Sequence, residues 1–320
     1  MKIKEVSCEE YQNLFQSKII FDSADFIELN KYKVEQVHYY VFFDKRRRFG
    51  LAVGEESGNF YIPFSAPFGI IEPIRKHWDI RMLEDSIRLF DEYIKEKNIK
   101  RIRFILPPSF YEKKVVAAMQ NILFRCDYRL LWQDLSYAFN LGTITEGNYT
   151  VGLSQAARKN LRIAKESGLV IKKCETEKEK ELSYNVIAIN RKEKGYPLRM
   201  SWKQVSQTKK IISHDFFVVY KDKIAIASAI VFRVCNDVAQ VIYWGNISKY
   251  NNYKSINYLA YELIKFYKKE GFDYLDIGPS SECGMPNYGL CDFKDSIGCE
   301  LSVKCCFEKV LSRGVYSIKT

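Results

Sequence analysis

The sequence predicts an α/β protein with mixed sheets, built as two tandem units of the same layout. Three observations predict it. An order of short apolar strands and amphipathic helices runs through the chain twice. Two helix-then-strand stretches, EYIKEKNIKRIRFIL ending at Leu106 and KFYKKEGFDYLDIG ending at Gly278, share one pattern of apolar and charged positions. And 320 residues, 47% of them hydrophobic, can fill two cores of ordinary size.

In the first half the pattern gives a strand at 2–6, helices within 8–31, and strands near 36–43, 49–54 and 59–64. A helix at 80–97 follows, then a strand at 100–106, a helix starting near Ser109 and strands within 123–139. A polar, glycine-containing stretch, LGTITEGNY at 141–149, reads as the boundary, so the expected units are 1–145 and 146–320. The second half begins with a helix at 153–167 and a strand at 169–173, followed by helical stretches at 178–194 and 202–212. Strands at 216–220 and 224–233 flank the turn Lys221-Asp222-Lys223, and 238–244 supplies a third. Residues 255–269 form an amphipathic helix, with Ile256, Leu259, Ala260, Leu263 and Tyr267 on one face and Lys265, Lys268 and Lys269 mostly off it; Gly271 ends it. A strand at 272–277, a short helix around Lys294 and a strand at 301–310 complete the order.

Composition narrows the function classes. No apolar run approaches the roughly 20 residues that span a bilayer, and MKIKEVSCEEYQ has no apolar signal core, so a cytoplasmic protein without a membrane span is expected. The nine cysteines show no CxxC pairs and read as reduced thiols; His38, His77 and His214 lie far apart, so no metal is expected. No Ser/His/Asp neighbourhood points to hydrolase chemistry. The net charge of +11 implies an acidic partner: nucleic acid, a phosphorylated acyl carrier or an anionic surface.

The segment YLDIGPSSECGMPNYGLCDFKDSIG, 274–298, carries the densest chemistry. An apolar strand breaks at Gly278-Pro279 and runs into a loop offering Ser280, Ser281, Glu282, Asn287 and, on the next helix, Lys294. It resembles the C-terminal signature of FemAB-like and BioF2-like acyltransferases of the GNAT superfamily: D-x-G at Asp276 and Gly278, an S-T-E-like loop at Ser281-Glu282, N-x-G-L at Asn287–Leu290, and F-K-x-x-x-G at Phe293–Gly298. Ile297 stands where the family usually has an aromatic. RKNLRIA, from Arg158 to Ala164, resembles the group's R-K-N-x-x-x-A helix, and PFSAPFG at 63–69 resembles related bacterial proteins.

The resemblance implies a GNAT-like unit in each half and transfer of an acyl or aminoacyl group from an activated donor, acyl-CoA first, to an amine. Asp276 and Glu282 are the acidic candidates for catalysis, with Tyr243 at the end of the strand facing them. Lys294 is a candidate for stabilising the oxyanion or neutralising donor phosphate, and the resemblance agrees on Glu282 and Lys294. Asp276 also reads as a cap for the loop and Lys294 as a solvated lysine, and Ser281 and Asn287 are expected on the substrate. Lys294, on a short helix, is expected to contribute little core burial, and Glu282, Asn287 and Lys294 are expected to line one cavity. Donor phosphates are expected on the turn KYNNYKS, at Tyr253, Lys254 and Ser255, although this turn lacks the Q/R-x-x-G-x-G/A glycines of acetyl-CoA binders. Ser255 reads equally as an ordinary helix N-cap. Arg158, Lys159 and Asn160 would touch the donor or a tRNA backbone, or else form a solvated basic face. The matching turn of the first half, 75–79, has less of the motif, so that half is expected to lack a donor site. Two alternatives stay open. One is a Fem-type enzyme using aminoacyl-tRNA and a peptidoglycan precursor; the other is a non-catalytic GNAT-fold module binding nucleic acid or protein.

Overall fold

The computed structural model describes residues 1–14 and 16–311. The chain forms two compact units: Met1–Asp134 together with the segment from Val303, and Leu135–Ser302.

In chain order the first unit contains β1 (Lys2–Val6), α1 (Cys8–Leu14), α2 (Ala24–Asn30), β2 (Gln36–Phe43), β3 (Arg47–Glu56), β4 (Asn59–Ile62), β5 (Glu72–Pro73), α3 (Ile80–Glu96), β6 (Arg101–Ile105) and α4 (Lys113–Arg125). Strand β7 (Arg129–Asn140) carries the chain into the second unit. There follow α5 (Glu146–Gly152), α6 (Gln155–Glu166), β8 (Leu169–Lys173), α7 (Glu177–Lys194), α8 (Trp202–Thr208), β9 (His214–Lys221), β10 (Ile224–Arg233), β11 (Val238–Asn246), α9 (Ser255–Lys269) and β12 (Tyr274–Pro279). A two-residue hairpin pair, β13 (Ser281–Glu282) and β14 (Met285–Pro286), leads to α10 (Tyr288–Ser296), and β15 (Glu300–Val310) returns to the first unit.

The mixed α/β class is as the sequence predicts, and the strands of the two units follow one plan. In the first, β1-β2-β3-β4 run antiparallel, β4 pairs β6 in parallel, and β15 pairs β6 antiparallel. In the second, β8-β9-β10-β11 run antiparallel, β11 pairs β12 in parallel, and β7 pairs β12 antiparallel. The closing strands are exchanged relative to sequence order: β7 completes the strand set of the second unit and β15 that of the first. The division therefore falls at Asp134/Leu135 and Ser302/Val303 rather than at 145/146. LGTITEGNY is no linker, since Leu141 N–H donates to Asp273 and Thr145 caps α5 in a capping box.

Strand β15 is tied to the first unit by its ladder with β6 and by partly buried charges. In the first unit Lys309 donates to Asp91 and to the Cys126 carbonyl, both at 2.7 Å, while Glu308 accepts from Arg103 at 2.7 Å. The second core packs α9 through Leu259, Ala260, Leu263 and Tyr267 against the sheet residues Phe217, Val219, Ala227, Ala229 and Leu275, the helical face that its 3.6-residue period marks out.

Candidate active site

The second unit's parallel pair is where the site forms. β11 and β12 are registered at Val238/Tyr274, Ala239/Leu275 and Gln240/Asp276, and β11 continues to Asn246 beyond the last of these pairs. The strands part there, as open α/β sheets do where they take up ligands. Parting leaves the end of β12 without a partner strand on its β11 side, and Lys294 takes the carbonyls there: its Nζ donates to Ile277 at 3.0 Å, Gly278 at 2.8 Å and Pro279 at 3.1 Å. All three ammonium protons are thereby used. The side chain is 1% exposed and lies 5.3 Å above the Tyr137 ring. Burial pushes its pKa down to about 8, against the pull of Asp276.

This corrects the expectation that Lys294 contributes little to the core. The short helix α10 turns it inward because Asn287 caps that helix, accepting from Leu290 N–H, and anchors it through its own N–H to the Ser280 carbonyl. Asp276 is equally buried: one oxygen accepts from Gln240 at 2.7 Å and the other from Gly278 N–H at 2.7 Å, with Gly278 at φ +72°. Ser281 accepts from Leu135 N–H at 2.7 Å, which pins the loop to β7. Glu282 is instead 80% exposed on its side chain and meets the Arg199 guanidinium at 2.9 Å. Glu282, Asn287 and Lys294 therefore do not line one cavity: one faces solvent, one caps a helix and one is sealed beneath the loop.

Glu282 is linked to Tyr243 instead. Arg199 holds Glu282, and the next residue, Met200, donates its N–H to the Tyr243 hydroxyl at 3.2 Å. Tyr184 donates to the Met200 carbonyl at 2.9 Å, so the segment after α7 is held from both sides. Tyr243 is buried on the diverging half of β11, and burial raises its pKa, which keeps the hydroxyl protonated. The Arg191 guanidinium stacks 5.6 Å from the Tyr243 ring and 5.9 Å from Tyr196, with its Nε buried and unpartnered and its pKa lowered by burial. Arg191, Arg199, Tyr184 and Gln240 carried no signal in the sequence, since each stands outside any motif and is gathered by the fold.

The turn leaving β11 ends in Lys254, which sits at φ 53°, ψ 36° as the N-cap of α9 and makes no side-chain cap bond. Ser255 is therefore the first helical residue and not the N-cap. It is 1% exposed, and its hydroxyl has no hydrogen-bond partner among the described residues. Tyr250 and Tyr253 stack at 6.4 Å, with Lys249 5.8 Å over Tyr250 and Lys221 5.9 Å over Tyr253. Glycine enters elsewhere: a Cβ at Gly245 would lie 2.3 Å from Asn190 Oδ1, and Asn190 donates to the Asn246 carbonyl at 2.7 Å, so α7 buttresses this turn. On α6, capped by Ser154, Ala157, Leu161 and Ala164 are buried while Arg158 and Lys159 are exposed and Asn160 half-buried. Among the described residues no hydrogen bond joins Arg158 or Asn160 to the other candidates.

Among the described residues no group of three His, Cys, Asp or Glu side chains is placed to hold a metal, and no helix is long and apolar enough to cross a membrane.

With this geometry in hand, comparison with solved structures identifies the fold. A structure of FemX superposes with a TM-score of 0.69 at 11% identity, covering 97% of each chain. The chain shares its fold with FemX. The C-terminal domain of a protein assigned as a lysylphosphatidylglycerol synthetase from Agrobacterium fabrum gives 0.61 at 11% identity over 96% of this chain and 93% of that one. L-PGS from Bacillus licheniformis gives 0.58 at 11% identity over 96% and 92%. No family model and no curated protein matches the sequence.

Proposed function

We propose that the second unit is an acyltransferase that moves an acyl or aminoacyl group from a phosphate-bearing activated donor to an amine. The observation that carries this reading is the parting of β11 and β12 beyond Gln240 and Asp276, with the N-terminus of α9 at the turn that leaves β11. The first N–H groups of a helix have no partner within it and attract anions. Lys254 adds a charge, the unpartnered Ser255 hydroxyl adds a donor, and the stacked tyrosines suit an adenine ring. Arg158 and Asn160 on α6 are proposed as further donor contacts, and the first unit, where the Asp79 carboxylate caps α3 at the matching turn, as a unit without a donor site.

In the proposed reaction the acceptor amine attacks the acyl carbon. A C–N bond forms, the bond to the donor sulfur or ester oxygen breaks, and that atom leaves with the electron pair and takes up a proton. Glu282 is the group for removing the amine proton, because Asp276 is buried with both oxygens engaged. The protonated Tyr243 hydroxyl donates toward the developing oxyanion. Lys294 acts as a positioning residue: it holds the Ile277–Pro279 carbonyls that set the loop from which Glu282 projects.

Acyl-CoA is the first reading of the donor. Aminoacyl-tRNA, with a peptidoglycan-precursor amine as acceptor, is the second; it is favoured by the pairing of stacked tyrosines with Lys221, Lys249 and Lys254 and by the glycine-free turn, since base stacking beside lysines also binds single-stranded ends. Likeness to FemX over the whole chain is consistent with either. The test is incubation of the full chain with radiolabelled acyl-CoAs or charged tRNAs and a panel of small amines and muropeptides. Label appearing in an amide supports the proposal and names the donor. A chain that binds donor yet transfers nothing would be the non-catalytic module.

A further inference from the structure

One cavity of this unit is unused by the proposed transfer. It is an open groove of about 720 Å³ between α5, β8 and the last three turns of α9, within the range of sites that hold small ligands. Its floor is apolar: Ile144, Tyr149, Ile171, Phe217 and Ile264. The walls are fixed by aromatic pairs, Phe217 against Phe266 at 5.1 Å and Tyr149 against Tyr261 at 5.9 Å. Around it stand Lys173, Lys265, Lys268 and Lys269, against one carboxylate, Glu262, among the described lining residues.

The lysines differ in what they are free to do. Lys173 pairs with buried Asp215 at 2.6 Å, and Lys268 donates to the Leu141 carbonyl at 2.7 Å. Lys265 is loosely placed, 3.7 Å from Glu262 and 5.3 Å over the Tyr261 ring, and Lys269 is exposed with no carboxylate in ion-pair distance among the described residues. A chain of apolar atoms on the floor and one negative charge at the rim would satisfy both halves of the groove. A basic or zwitterionic peptide would not.

We propose that this groove binds a long-chain fatty acid, its hydrocarbon on Ile144, Ile171, Phe217 and Ile264 and its carboxylate beside Lys265 and Lys269. The site would give the protein a lipid-responsive face separate from the α9 N-terminus. The inference does not rest on the transferase reading, because none of these residues belongs to it.

The experiment is calorimetric titration of the full chain with hexadecanoate below its micelle concentration, with hexadecyltrimethylammonium as the cationic control. One saturable site for hexadecanoate is expected, with the cation binding at least about tenfold more weakly. Lys265→Glu/Lys269→Glu, both on the surface, should weaken hexadecanoate binding at least about fivefold, as loss of two exposed charge contacts would. Ile171→Asp should do the same by placing a carboxylate on the floor. Equal binding of both amphiphiles, unchanged binding in the folded double variant, or binding confined to phosphatidylglycerol vesicles or to an acidic amphipathic peptide would overturn the proposal.

Discussion

Replacing Lys294 by Met keeps the volume of the side chain but removes its three donors. The bonds to Ile277, Gly278 and Pro279 are charge-assisted and buried; at the lower end for such bonds they are worth about 1.5 kcal/mol each. Against this, Met avoids burying an ammonium. The drop of the lysine pKa from 10.5 to about 8 measures that disadvantage at about 3 kcal/mol. The net loss at neutral pH is then about 1–2 kcal/mol, or a fall of roughly 2–8 °C in the melting temperature of a unit of this size. The pH dependence is the sharper readout. A lysine whose folded pKa lies below its unfolded one costs stability while it is charged in both states. That cost is relieved as pH rises from the folded pKa near 8 toward 10.5. The parent should gain stability over this window, and Lys294→Met should lack that gain. Melts from pH 7 to 10.5, followed by near-ultraviolet circular dichroism, decide it. A variant that melts like the parent at every pH, yet transfers no acyl group, would refute the clamp and restore Lys294 as a group that touches the reacting atoms.

Glu282→Gln should lower transfer by about 10²–10⁴-fold, as loss of a general base does, while the melting temperature moves little, because the side chain is exposed; a steady-state assay beside a thermal melt checks it. Gly245→Ala must displace Asn190 and should cost about 1–3 kcal/mol, read as a lower denaturant midpoint with unchanged slope. In the first unit Glu72, held beside Asp22 and bonded to Lys18 N–H, is buried. Burial pushes the pKa of both carboxyls up. The stability they give is full below the ordinary carboxylate range and is lost as pH rises through the raised folded values, so Glu72→Gln should flatten the decline in stability toward neutral pH in a urea titration series.

Much of the fold was legible because its signals are local. The apolar positions of α9 recur at helical spacing, and the element order repeats. Strand exchange was not legible: β7 and β15 read as strands, but which sheet each completes depends on distant partners such as Asp91 and Arg103. At the site, the 274–298 loop was found by its residue types. The direction each side chain takes was not, because a lysine on a short helix looks solvated until the carbonyls freed by parted strands are seen beside it. Ser255 read as a cap because the left-handed conformation of Lys254, which moves the helix start by one residue, leaves no trace in sequence. Arg191 lies in the last turn of α7 and Arg199 in the segment 195–201 that follows its Gly195 cap, and the contacts of Arg191 and Met200 with Tyr243 and of Arg199 with Glu282 are entirely tertiary.

The claim that a phosphate-bearing donor sits on the α9 N-terminus is tested most directly by equilibrium binding of acyl-CoA and aminoacyl-tRNA to the full chain and to Lys254→Asp. Aspartate tolerates the left-handed backbone at this position, so the fold should survive while the local charge reverses. A charged hydrogen bond and the helix-end attraction together are worth about 2 kcal/mol, which predicts saturable binding of one donor and at least about thirtyfold weaker binding in the variant. Binding of neither donor, or equal binding of one by parent and folded variant, would contradict the account.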